Sequence, residues 1–302
     1  MTTASASSYG GSSKRGPHRL ASTACERLWA LRSVHGVVAK YDPPTRLQGT
    51  LIHTCLAYHN AALMPVPPVW LGERTLGEAL EIDGAGNPAL IRVALDVYAA
   101  YRHQFSADTW LPLSVEEEYE ATIGELDPGG PDPSLDAEII TCRTDLVMKT
   151  NGMPWIVDHK ATGGGWNGKE RLETWKDDGE YKLSWQVMTN LHILRTAKNQ
   201  AKIGGLVRGF IIQRLKHRTP YDFDRHTLTV PALAYADAPR AMRSYVAKER
   251  AIFAKLARGE RPDPNFSMCV GRYGNCDYHA LCSSSSKEEQ ASVLATAFRT
   301  TK

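Results

Sequence analysis

The sequence predicts an α/β protein: a central mixed β-sheet flanked by helices, with helical N- and C-terminal parts joined through cysteines. Three observations lead there. Apolar residues recur at helical spacing over 24–38, 49–63 and 87–105, then change to strand-like runs over 113–123, 137–149 and 154–160. A helix, a further strand and a long helix follow, and that order of types argues for a mixed sheet covered by helices. Finally, Cys25 stands near one end of the 302-residue chain, and Cys269, Cys276 and Cys282 near the other.

Each element has its own signal. Leu28, Leu31 and Val34 give the first helix an apolar face. Gly49 opens a second that runs to Leu63, where Pro65, Pro67 and Pro68 stop it. Leu90, Val93, Ala94, Val97 and Tyr101 mark the third. Gly129-Gly130-Pro131 separates the first two strands, and Asn151-Gly152 between the next two is a strong hairpin signal. After Gly163-Gly164-Gly165, read as a mobile loop, Leu183, Val187, Leu191 and Leu194 predict a helix over 181–198. A fourth strand follows over 206–215 and a late helix over 239–258. Residues 1–21, rich in Ser, Gly and Ala, read as a disordered tail, a composition that organellar transit peptides share. One domain is expected over 22–285, with its cysteine segment at 265–283, and a second tail over 286–302.

Composition excludes several classes. No apolar run approaches about 18 residues, so no membrane span is expected. Six cysteines are too few for a disulfide scaffold, and no secretory segment precedes them. A reducing, cytoplasmic compartment is therefore expected. Net charge is only +3, but it is unevenly spread. No Lys or Arg lies between Gln104 and Cys142, where Glu116, Glu117, Glu118 and further acids fall. From Arg195 to Arg218 there are seven Lys or Arg and no acid. A polyanion lying along the second block, with metal ions neutralising part of the first, is one reading; solvated charged faces are the other.

The chemistry concentrates between Asp145 and Lys160. Asp145 closes one apolar run, and Asp158-His159-Lys160 closes the next. Asp158 and Lys160 are two apart and share a face, with His159 opposite. Closing the hairpin at Asn151-Gly152 brings Asp145 towards Asp158. Two buried carboxylates repel unless a cation lies between them. Mg²⁺ or Mn²⁺ suits their oxygens and would activate water for phosphodiester cleavage. Lys160 would orient or deprotonate that water, or neutralise the transition state. His53, early in the helix behind Gly49, offers an imidazole to the same ion.

These residues resemble the PD-(D/E)XK nuclease superfamily, in its RecB-like branch of phage-encoded and CRISPR-associated exonucleases, over residues 22–282. The resemblance lies in Gly49-X-X-X-His53, an acid among Glu116, Glu117 and Glu118, Asp145, Asp158-X-Lys160 and Gln186 on the following helix. Asn190 stands where members often carry Tyr. The resemblance implies a restriction-endonuclease-like core. It makes His53, Asp145, Asp158 and the Val157 carbonyl metal ligands, Lys160 catalytic, and Gln186 a support for the site or the DNA. It implies a Mg²⁺- or Mn²⁺-dependent DNA exonuclease of recombination, repair or phage DNA processing, acting on ends or single strands. Trp166, Trp175, Tyr181 and Trp185 are candidates to stack on bases, although core packing suits Trp185 better. The contrasting expectation is a non-catalytic nucleic-acid-binding or assembly module that keeps a nuclease-like fold.

Three thiols within fourteen residues, at Cys269, Cys276 and Cys282, suggest a metal clip. A tetrahedral or cubane site needs a fourth ligand, and Cys25 is the candidate. RecB-like members that hold a [4Fe–4S] cluster use one N-terminal and three C-terminal cysteines, in this order. Zn²⁺ with Cys25 or His279 as fourth ligand is the alternative. Cys55 and Cys142 are expected to pack as small hydrophobes.

Overall fold

The computed structural model describes residues 15–40, 43–84, 86–163, 181, 183–271 and 274–301. The chain opens with two short helices, α1 (Pro17–Ser22) and α2 (Glu26–Trp29). A π-helical turn carries the second on to Val34, and a three-residue strand, β1 (Val37–Ala39), follows. Then come α3 (Pro44–Ala62), α4 (Leu76–Asp83) and α5 (Pro88–Gln104). Thr75 and Glu78 close a reciprocal capping box at α4, and Pro88 behind the Asn87 cap starts α5.

Alternating strands build the centre. β2 (Leu111–Thr122), β3 (Ile139–Thr150) and β4 (Met153–Thr162) form an antiparallel meander. Asn151 (φ 49°) and Gly152 (φ 77°) both take the left-handed conformation that a tight two-residue hairpin needs. β5 (Phe210–Lys216) runs parallel to β4 after a helical crossover, and β6 (Asp222–Leu228) pairs antiparallel with β5. The sheet order is β2-β3-β4-β5-β6, a mixed sheet. β6 had no sequence signal because Asp222, Asp224, Arg225 and His226 leave it little apolar alternation.

Helices cover both faces. On one, Ile140, Val147, Ile156 and Ile212 pack against Val187, Leu191 and Leu194 of the Trp185–Leu194 helix and Met242 and Val246 of the long Ala232–Ala257 helix. On the other, Ala57 and Ala61 of α3 meet Leu146, Met148 and Val157, while Leu51 and Leu56 meet Leu215 and α5. Cys55 and Cys142 are fully buried in these cores. Among the described residues no helix is long and apolar enough to cross a membrane.

Both expected tails differ from the structure where it describes them. Residues 17–22 are helical, and Leu20 enters the core on Val187 and Leu191. One apolar anchor in a polar segment carries no periodicity, so composition hid it. The end of the chain forms a helix, Lys287–Ala297, and a strand, β7 (Phe298–Thr300), which pairs with β1. Phe298 stacks on Tyr278, whose hydroxyl donates to Val37 O at 2.6 Å. The helix predicted over 181–198 is also divided, at Leu194, and Leu183 lies outside it and exposed.

The two charge blocks largely neutralise within the fold. Arg243, buried, bonds Asp127 and Asp136 at 2.7 Å each, and Arg250 and Arg15 both reach Glu138. Lys198 pairs with Glu120, Lys202 with Glu117, and Arg214 with Asp224. Arg195 caps the carbonyls of Val207 and Arg208. The second block is therefore not a free basic strip: Lys198, Lys202 and Arg214, three of its seven cations, face acids, and Arg195 is spent on carbonyls.

Candidate functional site

Strand register sets three acids at one level of the sheet. Val115 faces Leu146 and Glu117 faces Thr144, which puts Glu116 opposite Asp145. Leu146 faces Val157, so Asp158 follows at the level of Asp145. Glu116 has φ 50°, a left-handed conformation for a glutamate inside a strand. That residue reverses the strand's alternation. Val115 packs beneath α3, whereas Tyr119 and Ala121, which strict period two would keep on the same side, pack on the opposite face. Such a conformation costs about 1–3 kcal/mol and persists only where its surroundings enforce it.

The effect is to turn a carboxylate towards His53 and Asp145. Ligand atoms of His53, Glu116 and Asp145 all lie within 4.8 Å of one another, the one such group among the described residues. His53 is held by α3, whose neighbouring Ile52 and Leu56 are buried, and its Nδ1 is 3.5 Å from Asp145 Oδ2. Burial, then the charges of Asp145 and Asp158, push the Glu116 carboxyl well above the usual carboxylate range. Burial and Asp158 raise Asp145 too, against His53, Lys160 and the His159 N–H, which donates to Asp145 Oδ2 at 2.7 Å. Acids that raise one another in this way are what a divalent cation relieves.

Asp158, Lys160 and Gln186 form the adjoining half. Lys160 Nζ lies 2.7 Å from Asp158 Oδ2. The Gln186 amide donates to Asp158 Oδ1 at 2.5 Å, and its carbonyl accepts from Lys160 at 3.2 Å. Ser184 caps the helix through the Gln186 N–H, which fixes where that side chain starts. Burial opposes the Lys160 ammonium, but Asp158 and Asp145 hold its pKa above the ordinary lysine value.

His159 projects away from Asp158 and Lys160, as expected, and its ring meets His53 edge-on at 6.0 Å. Burial, then His53 and Arg225, hold it well below the usual histidine pKa. With the Gln213 amide oriented so that its oxygen and nitrogen each meet a matching partner, its NH₂ donates to His159 Nδ1 at 2.9 Å and its carbonyl accepts from Arg225 Nε at 3.0 Å. Val157, buried, sits beside the acids in β4.

The sequence left the choice among three consecutive glutamates open; phase reversal at Glu116 makes it. His18, in the supposed tail, also escaped. It stands close enough that its surroundings and then the Lys160 charge lower its pKa. Tyr181 packs partly on the core, and Trp185 meets Tyr245 edge-on, as a core residue does. Trp166, Trp175, Gly164 and Gly165 lie outside the described residues.

Elsewhere, Cys25, Cys269, Cys276 and Cys282 line one pocket, together with Leu28 and His279. Cys25 caps the start of α2, and the Asn265 N–H donates to its sulfur at 3.4 Å. The Cys276 N–H donates to Cys269 O at 2.8 Å, folding the segment back on itself.

A helix-flanked mixed sheet that gathers a histidine, two acids and an acid-X-lysine at one strand level defines the nuclease class of α/β proteins. The model of the PD-(D/E)XK nuclease superfamily matches residues 21–283, and the chain belongs to that superfamily. Among solved structures, a "Putative exonuclease" from Eubacterium rectale is similar at 14% identity and TM-score 0.47, over 87% of this chain and 89% of that one. SSO0001 is similar at 12% identity and TM-score 0.30, over 65% and 72%. Neither likeness carries weight beside the family match. No curated protein matches the sequence.

Proposed function

We propose that this nuclease-superfamily protein is a Mg²⁺- or Mn²⁺-dependent exonuclease acting on DNA ends or single strands. The observation that carries the reading is the convergence of His53, Glu116 and Asp145 beside the Asp158–Lys160–Gln186 triangle. Those first three residues, with Asp158, would hold the ion. When bound, it polarises a phosphoryl oxygen and makes water a nucleophile near neutral pH. The chain's own residues do the rest. Lys160 keeps a positive charge where the phosphoryl oxygens gather negative charge. Gln186 holds Lys160 and Asp158 in one geometry. The His159 N–H fixes one Asp145 oxygen and so aims the other.

End-labelled linear and closed circular DNA, digested with either metal, test this. Linear DNA should be consumed and circles spared, with Lys160→Ala inactive on both. Equal activity of the variant would sink the mechanism, and cutting of circles would sink the exonuclease assignment.

The cysteine pocket favours a [4Fe–4S] cluster with a structural role. A tetrahedral zinc with Zn–S near 2.3 Å would bring sulfurs to about 3.8 Å of each other. A cubane, which takes one thiolate on each of its four irons, is the wider centre. Visible absorbance of anaerobically purified protein, lost in Cys276→Ala, separates the two.

A further inference from the structure

We infer that Lys216, at the end of β5, binds a second, non-scissile phosphate of the nucleic acid strand whose cleavage the preceding reading assigns to the metal centre. The inference starts from placement. β4 and β5 are parallel, with Lys160 opposite Arg214 and Thr162 opposite Lys216. Paired residues of parallel strands share a face. Leu215 enters the core beneath α3 and α5, so Arg214 and Lys216 project the other way, with Ile212. Asp158 stands opposite Ile212 and Lys160 opposite Arg214, which puts Lys216 on the face of the candidate site.

Lys216 is the last residue of β5, and its partner Thr162 the last of β4. Open α/β sheets bind ligands outside the carboxyl ends of their parallel strands. Two residues along a strand span about 6.6 Å, so Lys216 stands roughly one nucleotide step of an extended strand beyond the level of Lys160.

What singles it out is its charge. Lys216 is 0% exposed, and among the described residues its Nζ has no hydrogen-bond partner. No ion pair within 4 Å among the described residues includes it. Arg214, beside it, is committed to Asp224. Asp222, its partner across β6, accepts from the Phe223 N–H. A buried ammonium without a counter-ion is strongly disfavoured against an apolar side chain of the same volume. An anion supplied from outside would relieve it, and the four-carbon stem lets the ammonium reach past the strand end to meet one. Lys160 faces the scissile phosphate, which leaves a neighbouring backbone phosphate as the matching ligand.

The test uses the full chain, a fluorescent single-stranded oligonucleotide, and Ca²⁺ in place of the cleavage-supporting metals. Lys216→Met keeps the volume and removes the charge; Lys216→Arg keeps the charge. The Met variant should bind about tenfold more weakly at low salt, with the slope of log K against log[salt] reduced by about 1, and the Arg variant should bind like wild type. Under Mg²⁺, hydrolysis of a thymidine 5′-phosphate aryl ester, which carries a single phosphate, should be unchanged in Lys216→Met. Wild-type affinity and salt slope in the Met variant would overturn the proposal and leave the nuclease reading standing. No oligonucleotide binding by wild type would overturn both. If Lys216→Met does not fold, Lys216→Gln takes its place with the same expectations.

Discussion

The candidate metal site and the cysteine pocket are built by opposite means. At the first, His53, Glu116, Asp145 and Asp158 come from α3 and three neighbouring strands, each pinned by sheet register and a buried core on both faces. At the second, Cys25 and the three late cysteines come from short elements, with only small clusters around Val37, Tyr278, Leu281 and Phe298 and around Trp29 and Ile252 to hold them. A sheet makes its site before any ligand arrives and can carry repelling charges there. Under the reading proposed above, a ligand would complete the folding of the cysteine segment. Loss of ligand should then silence the first site and loosen the second.

The largest contrast comes from crossing two variants. Lys160→Ala should lower DNA cleavage about a thousandfold and keep its circular dichroism spectrum. Cys276→Ala should lose about 4 kcal/mol of stability, the linkage expected of a ligand held at a thousand times its Kd. Its melting temperature should fall by roughly 10 °C, with cleavage retained below that transition. A Cys276→Ala protein as stable as wild type would erase the contrast.

Next is Leu20→Ala. If α1 belongs to the core rather than to a tail, truncating this buried side chain costs about 2–4 kcal/mol, read in a urea titration. An unchanged midpoint would return the segment to the solvent.

A smaller effect probes the repelling acids. Glu116 binds its proton more tightly folded than unfolded, because burial and Asp145 raise it. Its contribution to stability is fully present below the unfolded carboxylate range, near about 4.3, and is lost as pH climbs towards the folded value. In EDTA the wild-type melting temperature should decline through this group as pH rises above the unfolded carboxylate range. Glu116→Gln should flatten that decline, and added Mn²⁺ should raise the wild type alone. Parallel pH curves would deny that the site stores this repulsion.

The smallest change is Tyr278→Phe, which removes the bond to Val37 O and should cost about 1 kcal/mol. Measured with and without the cysteine ligand, the loss should be greater in its absence, since the ligand and this bond tie the same two ends.

Local rules made one part of the site legible. The Asn151-Gly152 turn and period two put Asp145, Asp158 and Lys160 at one edge from sequence alone, and the structure keeps that arrangement. Gln186 was named by family pattern, and its role as the bridge between Asp158 and Lys160 appears only in three dimensions. Glu116 was indistinct from Glu117 and Glu118, because alternation cannot foresee a strand residue with positive φ. The charge blocks misled for a related reason: composition counts charges but not the distant partners that neutralise them, as Arg243 does for Asp127 and Asp136.

By itself, then, the sequence determined what near neighbours dictate: the helices, the central hairpin with its acid-X-lysine, and the grouping of thiols at the C-terminal end. Tertiary structure alone decided which glutamate joins His53, how Lys216 comes to be buried with no counter-ion among the described residues, and how Leu20 and Phe298 turn two apparent tails into parts of the fold. Hydrophobic period and turn chemistry act over a few residues and can be read along the chain. Register between strands, burial and charge pairing join residues far apart in sequence, and those exist only once the chain has folded.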